Sequence, residues 1–262
     1  MENLNFILSK QDANIAMARW FDLIVVAQGA SSTLIPSLSS FKISREAFEF
    51  LNDQNQSSHF HFHMGFTETN TLIGIFVPLD ARGKERTDVD NYSICYYSRN
   101  EKDIFLTQQT ISKTSQSLQV TKNLTIEFKK ENTVSTTINS PNKTIDSAFR
   151  NMRFWQDNYL DWFNLCYKQD NPQSLIFRYF IVPIQDLSGE FNDSIVEITN
   201  CFLGLELNDN IVTQYLPNVI FIADVDEEQA TLNMNDLNVT SRSNNTFDFG
   251  RPCPPLCYSD DD

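Results

Sequence analysis

Glycine is scarce in this chain: seven residues in 262, under half the usual share of about 7%. Phosphate-cradling loops need glycine so that backbone N–H groups can approach a ligand closely. The seven are Gly29, Gly65, Gly74, Gly83, Gly189, Gly204 and Gly250, and no two stand in a GxGxxG or GxxxxGK spacing. Dinucleotide and P-loop nucleotide binding are therefore not expected. GxSxG, HExxH and CxxC are missing too, which removes the common hydrolase, zincin and thiol-redox signatures. Positive charge is short: Lys+Arg 20 against Asp+Glu 34 gives a formal net charge of −14. A nucleic-acid or anionic-membrane partner would need a basic surface, so neither is expected. Long apolar runs are absent. The most apolar early run, Leu23 to Ala27, is too short to span a bilayer. The first ten residues carry neither a basic n-region nor a small-residue cleavage site, so a cytoplasmic protein is expected.

What is present is enough to build a core, since hydrophobic residues make up 41% and wholesale disorder is excluded. Ser9-Lys-Gln-Asp12 has the pattern of a capping box. It opens a helix with apolar Ala13, Ala16, Met17, Trp20, Leu23, Ile24 and Ala27, and Gly29 stands where the helix should stop. A short helix over 44–52 turns Phe48 and Leu51 inward. Residues 58–66, 71–79 and 91–98 read as strands, separated by the tight Thr67–Asn70 connection and a long polar loop from Asp80 to Asp90. Leu118 to Phe128 reads as one alternating strand. Over 142–168, Met152, Trp155, Tyr159, Trp162 and Cys166 continue an apolar stripe begun at Ile145 and Ala148, a helix covering a sheet. Three β runs follow, Leu175–Ile184, Ile195–Leu207 and Asn218–Val225, and a helical turn is expected near Asp226 to Met234.

Strands in runs, with few helices, give an α+β fold: a mainly antiparallel sheet of about six or seven strands covered by two or three helices. The expected organisation is a single domain over 1–240 and a polar Pro/Cys/Asp tail over 241–262.

All three histidines fall in His59-Phe-His-Phe-His63, where strand alternation puts the imidazoles on one face. Pairing residue 66 with 71 would set Phe60, Phe62, Met64 and Phe66 against Ile73, Ile75, Val77 and Leu79. One wholly apolar face results, with Gly74 opposite His63 and Phe76 opposite His61. Histidines at i and i+2 can chelate one ion. His59 and His63, roughly 13 Å apart at Cα, are at the limit of what two imidazoles could bridge, so at most two of the three are expected on one ion. His61 and His63 are thus the candidate metal ligands. A carboxylate would complete the set, Asp80 first, with Asp88 and Asp90 as further sources. Exposed imidazoles on an open face explain the pattern more simply, so no metal and no cofactor are expected. The run Asn218 to Asp224-Val-Asp226 resembles the metal-and-diphosphate site of nucleotide-sugar transferases. It lies near the C-terminal end without a nucleotide-binding half, and a strand entering an acidic helix N-terminus accounts for it. Cys253-Pro-Pro-Leu-Cys257 offers two thiolates where a structural zinc site wants four ligands. The expected function is a non-enzymatic protein acting through protein–protein contact or self-association. The alternative is a metal-dependent enzyme using the His-x-His pair and a carboxylate.

Overall fold

The computed structural model describes residues 6–37, 39–99, 116–120, 126–130, 145–191, 196–207, 215–224, 247–248 and 251–253. The fold is α+β with a mainly antiparallel sheet. A short strand β1 (Ile7–Ser9) leads into helix α1 (Lys10–Trp20). The Ser9 hydroxyl accepts from the Asp12 backbone N–H at 3.1 Å, satisfying one of the free N–H groups of the first turn. The helix then widens into a π-helical stretch over Phe21–Val26, which buries the adjacent Ile24 and Val25 together. The left-handed residue that ends it is Gln28, at φ 53°, and not Gly29. Strand β2 (Ser39–Ser44) runs directly into α2 (Arg45–Gln54), whose N-cap Ser44 accepts from the Ala47 N–H. As the spacing predicts, Phe48 and Leu51 are buried.

Strands β3 (His59–Phe66), β4 (Leu72–Val77) and β5 (Asn91–Arg99) form an antiparallel meander. The segment expected as one strand over 118–128 is instead a pair, β6 (Gln116–Val120) and β7 (Ile126–Lys130), with Val120 opposite Ile126. Helix α3 (Ile145–Tyr167) buries Met152, Trp155, Tyr159, Trp162, Phe163 and Cys166. Strand β8 (Tyr179–Pro183) ends at α4 (Ile184–Phe191), a helix the sequence reading missed, and β9 (Ile198–Leu207) and β10 (Tyr215–Asp224) follow. Two short strands, β11 (Phe247–Asp248) and β12 (Arg251–Cys253), lie in the stretch expected as a tail.

The strand order is β12-β8-β3-β4-β5-β2-β9-β10-β6-β7, with β1 on β5 and β11 on β10. Since β11 pairs with β10 and β12 with β8, the C-terminal segment spans between the two arms of the sheet and curls it nearly into a barrel.

The β3–β4 register departs from expectation by one residue. Phe66 pairs with Leu72, Phe62 with Phe76, His63 with Ile75 and His61 with Val77. The expected register assumed that one apolar face had to be matched. Strand β4 is in fact buried on both faces. Leu72 and Phe76 join Phe60, Phe62, Met64 and Phe66 in the main core, with Trp20, Phe41, Trp155 and Phe177. Ile73, Ile75 and Val77 form a second cluster with Ala13 and Ala16 of α1 and Tyr92 and Ile94 of β5. Ile75 and Val77 thus lie on the face opposite Phe60 and Phe62. Gly74 is required on the core face, because a Cβ there would run into the Phe62 ring and come within 2.9 Å of the Cys95 sulfur.

Phe62 is fully buried and meets Phe41 edge-on at 5.2 Å and Phe76 at 5.1 Å. Phe62→Ala is expected to cost about 3–5 kcal/mol in urea unfolding, whereas exposed Ile15→Ala stays within about 0.5 kcal/mol. All three tryptophans of the chain, Trp20, Trp155 and Trp162, are buried. Native fluorescence is therefore expected to resist acrylamide quenching, and free quenching would contradict this packing.

Candidate metal centre

Alternation along β3 separates the Phe60–Phe62–Met64 row, which enters the core, from His59, His61 and His63 on the other face. That face is not open. His61 and His63 border the apolar Val77 and Ile75 of β4, and on their other side β8 sets Ile181 beside His61 and Tyr179 beside His63. The Tyr179 ring stacks on both imidazoles, at 4.4 Å from His61 and 4.6 Å from His63, with interplanar angles of 27° and 22°. The histidine side chains are only 13% and 12% exposed. His59 stands apart, with its Nδ1 3.0 Å from the Ser58 hydroxyl.

The third member comes from the chain after β4. Residues 78–86 turn back on themselves: Asp80 N–H donates to Lys84 O at 2.7 Å, and Arg86 N–H to Pro78 O at 3.0 Å. Gly83 takes φ 80° at the turn, a conformation in which a side chain is strained. The Asp80 carboxylate accepts from the Arg82 and Lys84 N–H groups at 2.8 and 2.9 Å. Asp80 is therefore the residue that shapes this turn, and the structure does not bring it to the histidines. Glu85 pairs with Leu79 across the turn and so shares the face of Val77 and Ile75. Its Oε1 lies 2.7 Å from His61 Nδ1 and 2.8 Å from His63 Nε2. Of the other expected carboxylates, Asp88 accepts from Arg86 Nε at 2.9 Å, and Asp90 is not among the groups that converge with the histidines.

The Asp80–Asp90 loop does reach the histidines, but through Glu85 and not through the aspartates that sequence reasoning favoured. The signal for Glu85 was available in the Asp80-Ala-Arg-Gly83 run, a turn pattern that reverses the chain and returns the fifth residue after Asp80 to the sheet.

Two opposing effects set the charge of Glu85. Burial pushes its carboxyl upward, but hydrogen bonds from His61 and His63 outweigh this and hold it well below the usual carboxylate range. An ionised carboxylate only accepts, so the protons of the pair sit on His61 Nδ1 and His63 Nε2. For His63, burial is the largest influence and lowers its pKa; the Glu85 hydrogen bond pulls the other way without reversing it.

The Nδ1 of one ring, the Nε2 of the other and a carboxylate oxygen converge, all within 4.8 Å of one another. Around a tetrahedral ion with bonds near 2.0–2.1 Å, neighbouring ligand atoms stand about 3.3 Å apart. The glutamate oxygen would need to retreat from each nitrogen by roughly half an ångström, and the two nitrogens, within 4.8 Å of each other, would close toward the same spacing by ring rotation, with the carboxylate 40% exposed and able to turn. Two imidazoles and one carboxylate suit zinc, iron or cobalt and leave further positions for water or substrate.

Among the described side chains no other sequence candidate joins this centre. Trp155, Tyr159, Trp162 and Phe163 are core. Asp226, Cys257 and the helical turn near 226–234 lie outside the described residues. Asp224 closes β10 opposite Ile198, and Cys253 takes a register position opposite Tyr179. Among the described residues no helix is long and apolar enough to cross a membrane. No known protein family, curated protein or solved structure matches the chain.

Folded His63 and Glu85 both resist protonation relative to the unfolded chain. The His63 contribution is complete above its ordinary value of 6.5 and is lost as pH falls through its lowered folded value. The Glu85 contribution is present above 4.5 and is lost only at more acidic pH. For metal-free protein, the urea midpoint of the parent relative to His63→Gln should fall between pH 7.5 and 5. A constant difference would refute the assignment.

Proposed function

We propose that the protein binds one divalent transition-metal ion through His61 Nδ1, His63 Nε2 and Glu85, and belongs functionally with metal-dependent enzymes. The observation that carries this reading is the convergence of three ligand atoms from two separate chain segments on a largely buried face. It favours the metal-dependent alternative over the contact role, because it supplies the carboxylate that the histidine pair lacked in sequence. Three protein ligands with an open position are the pattern of catalytic rather than closed structural sites. When bound, such an ion supplies Lewis acidity and a water whose pKa is lowered toward about 7. The protein's own groups do the rest: Tyr179, Ile181, Val77 and Ile75 limit water around the imidazoles, and Glu85 balances the cation's charge. Each neutral imidazole would bind through the nitrogen that now faces Glu85, its proton moving through solvent to the other ring nitrogen, and protonation of the rings competes with the metal, so affinity should rise with pH. A contact role remains a separate proposal that does not use this centre; a metal-independent native mass above 30.2 kDa would be its first support.

Metal-stripped protein purified without an affinity tag is expected to take up one Zn2+ or Co2+ per chain by calorimetry. Glu85→Gln should weaken binding at least tenfold, and the double variant His61→Ala with His63→Ala should abolish it. No uptake, or uptake indifferent to these residues, would overturn the reading.

A further inference from the structure

Resting on that reading, we infer that Tyr179 is a positioning residue of the metal centre, acting through the plane of its ring. The two imidazoles come from residues two apart on one strand, so their Cβ atoms are carried in parallel. Parallel side chains do not converge by themselves. Convergence here requires opposite edges: His61 presents Nδ1 and His63 presents Nε2 to one oxygen. The ring centroids stand 5.9 Å apart with the planes at 49°. That arrangement demands a specific rotation of each ring about its Cβ–Cγ bond, a broad and weakly restrained torsion.

Tyr179 is placed to supply the restraint. It stands beside His63 in register on β8, and its ring lies over both imidazoles at nearly equal distances and shallow angles. One flat surface in contact with two rings narrows both torsions together. Hydrogen bonding to Glu85 alone would not do so, because a single oxygen fixes a distance and leaves each ring free to pivot about it. The plane of the ring is what narrows the two torsions. A phenylalanine should therefore replace it, and a side chain of similar bulk without a plane should not.

The test compares the parent with Tyr179→Phe, Tyr179→Leu and Tyr179→Met, each metal-stripped and titrated with Co2+. Affinity is read by chelator competition and ligand geometry by the visible d–d absorption. Tyr179→Phe is expected to bind within about twofold of the parent with the same spectrum. Tyr179→Leu and Tyr179→Met should bind about 10-fold or more weakly, as loss of an outer-shell support typically does, with a shifted and weakened d–d band. Thermal melts of the metal-free variants identify any that fail to fold, and two planeless variants keep one readable. Parent-like affinity and spectrum in a folded Leu or Met variant would overturn the role of Tyr179 while leaving the metal site standing. Loss of binding in Tyr179→Phe would overturn the ring argument in favour of the hydroxyl. A parent that takes up no Co2+ would overturn the metal reading and this inference with it.

Discussion

A β-strand that is apolar on both faces must be covered on both faces, and β4 imposes that requirement on its surroundings. Its Leu72 and Phe76 face the aromatic core, while Ile73, Ile75 and Val77 face away from it. The second set cannot be left to water: burying a side chain of that size is worth about 1.5–3 kcal/mol. Helix α1 answers the need with small residues, Ala13 and Ala16, which let it come close to the sheet. A Cβ at Gly65 would stand 3.0 Å from the Ala16 Cβ, so the absence of a side chain on β3 is part of the same close approach. The helix covers one end of the Ile73–Ile75–Val77 row. Tyr92 and Ile94 of β5 complete the cluster, with Leu8, Met17, Val89 and Tyr96 packed against it, and Glu85 meets the two histidines beside Ile75 and Val77.

This arrangement explains why the histidines are paired. His61 and His63 share the strand face that borders Ile75 and Val77, so they are drawn into the same desolvated zone. Buried imidazole edges with unmet N–H groups would be costly. One carboxylate oxygen meets both, and its own burial cost is offset because two donors converge on it. The result is a compact unit in which a negative charge is held between two rings. A divalent cation would sit between the same two nitrogens and the same oxygen, each neutral ring keeping its proton on its other nitrogen, which is the physical reason the geometry suits an ion as well as a hydrogen-bonded pair.

The elements were largely legible in the sequence, and their failures have identifiable causes. Ser9 and Ser44 mark helix starts by local hydrogen bonding, which needs no tertiary information. The α3 stripe from Met152 to Cys166 is long enough for its period to be unambiguous. Helix α4 was missed because it is only eight residues long and contains Gly189, so the i, i+3, i+7 spacing of Ile184, Leu187 and Phe191 spans too little chain to stand out after the apolar run of β8. The β3–β4 register failed for a deeper reason. Alternation in β3 is real, but β4 has none to match it, so pattern matching had no basis for choosing between two registers one residue apart. The residues that cover the second face of β4, Ala13 and Ala16 of α1 and Tyr92 and Ile94 of β5, lie outside the hairpin. The histidine pair was proposed from sequence, but with Asp80 in the place that Glu85 takes. Which loop residue reaches the sheet depends on where a turn reverses, and that is set by Asp80 and Gly83 together.

The C-terminal segment alters how the whole sheet should be regarded. Read as composition, Arg251-Pro-Cys-Pro-Pro is a polar tail, and proline excludes it from a central strand. An edge position tolerates it, because a proline there gives up only the N–H that would point away from the sheet. Strand β12 occupies such a position against β8, while β11 two residues earlier in the chain is already held by β10. Without β12, β8 would be the exposed edge, and its residues would be free to fray at the place where Tyr179 stands beside His63. A row therefore runs across three strands, Cys253 to Tyr179 to His63. Residues separated by 190 positions in the chain are thus linked through one backbone ladder. The order of the candidate centre depends on a segment whose own composition gives no hint of it, and local reading of that segment as a tail could not have shown the connection.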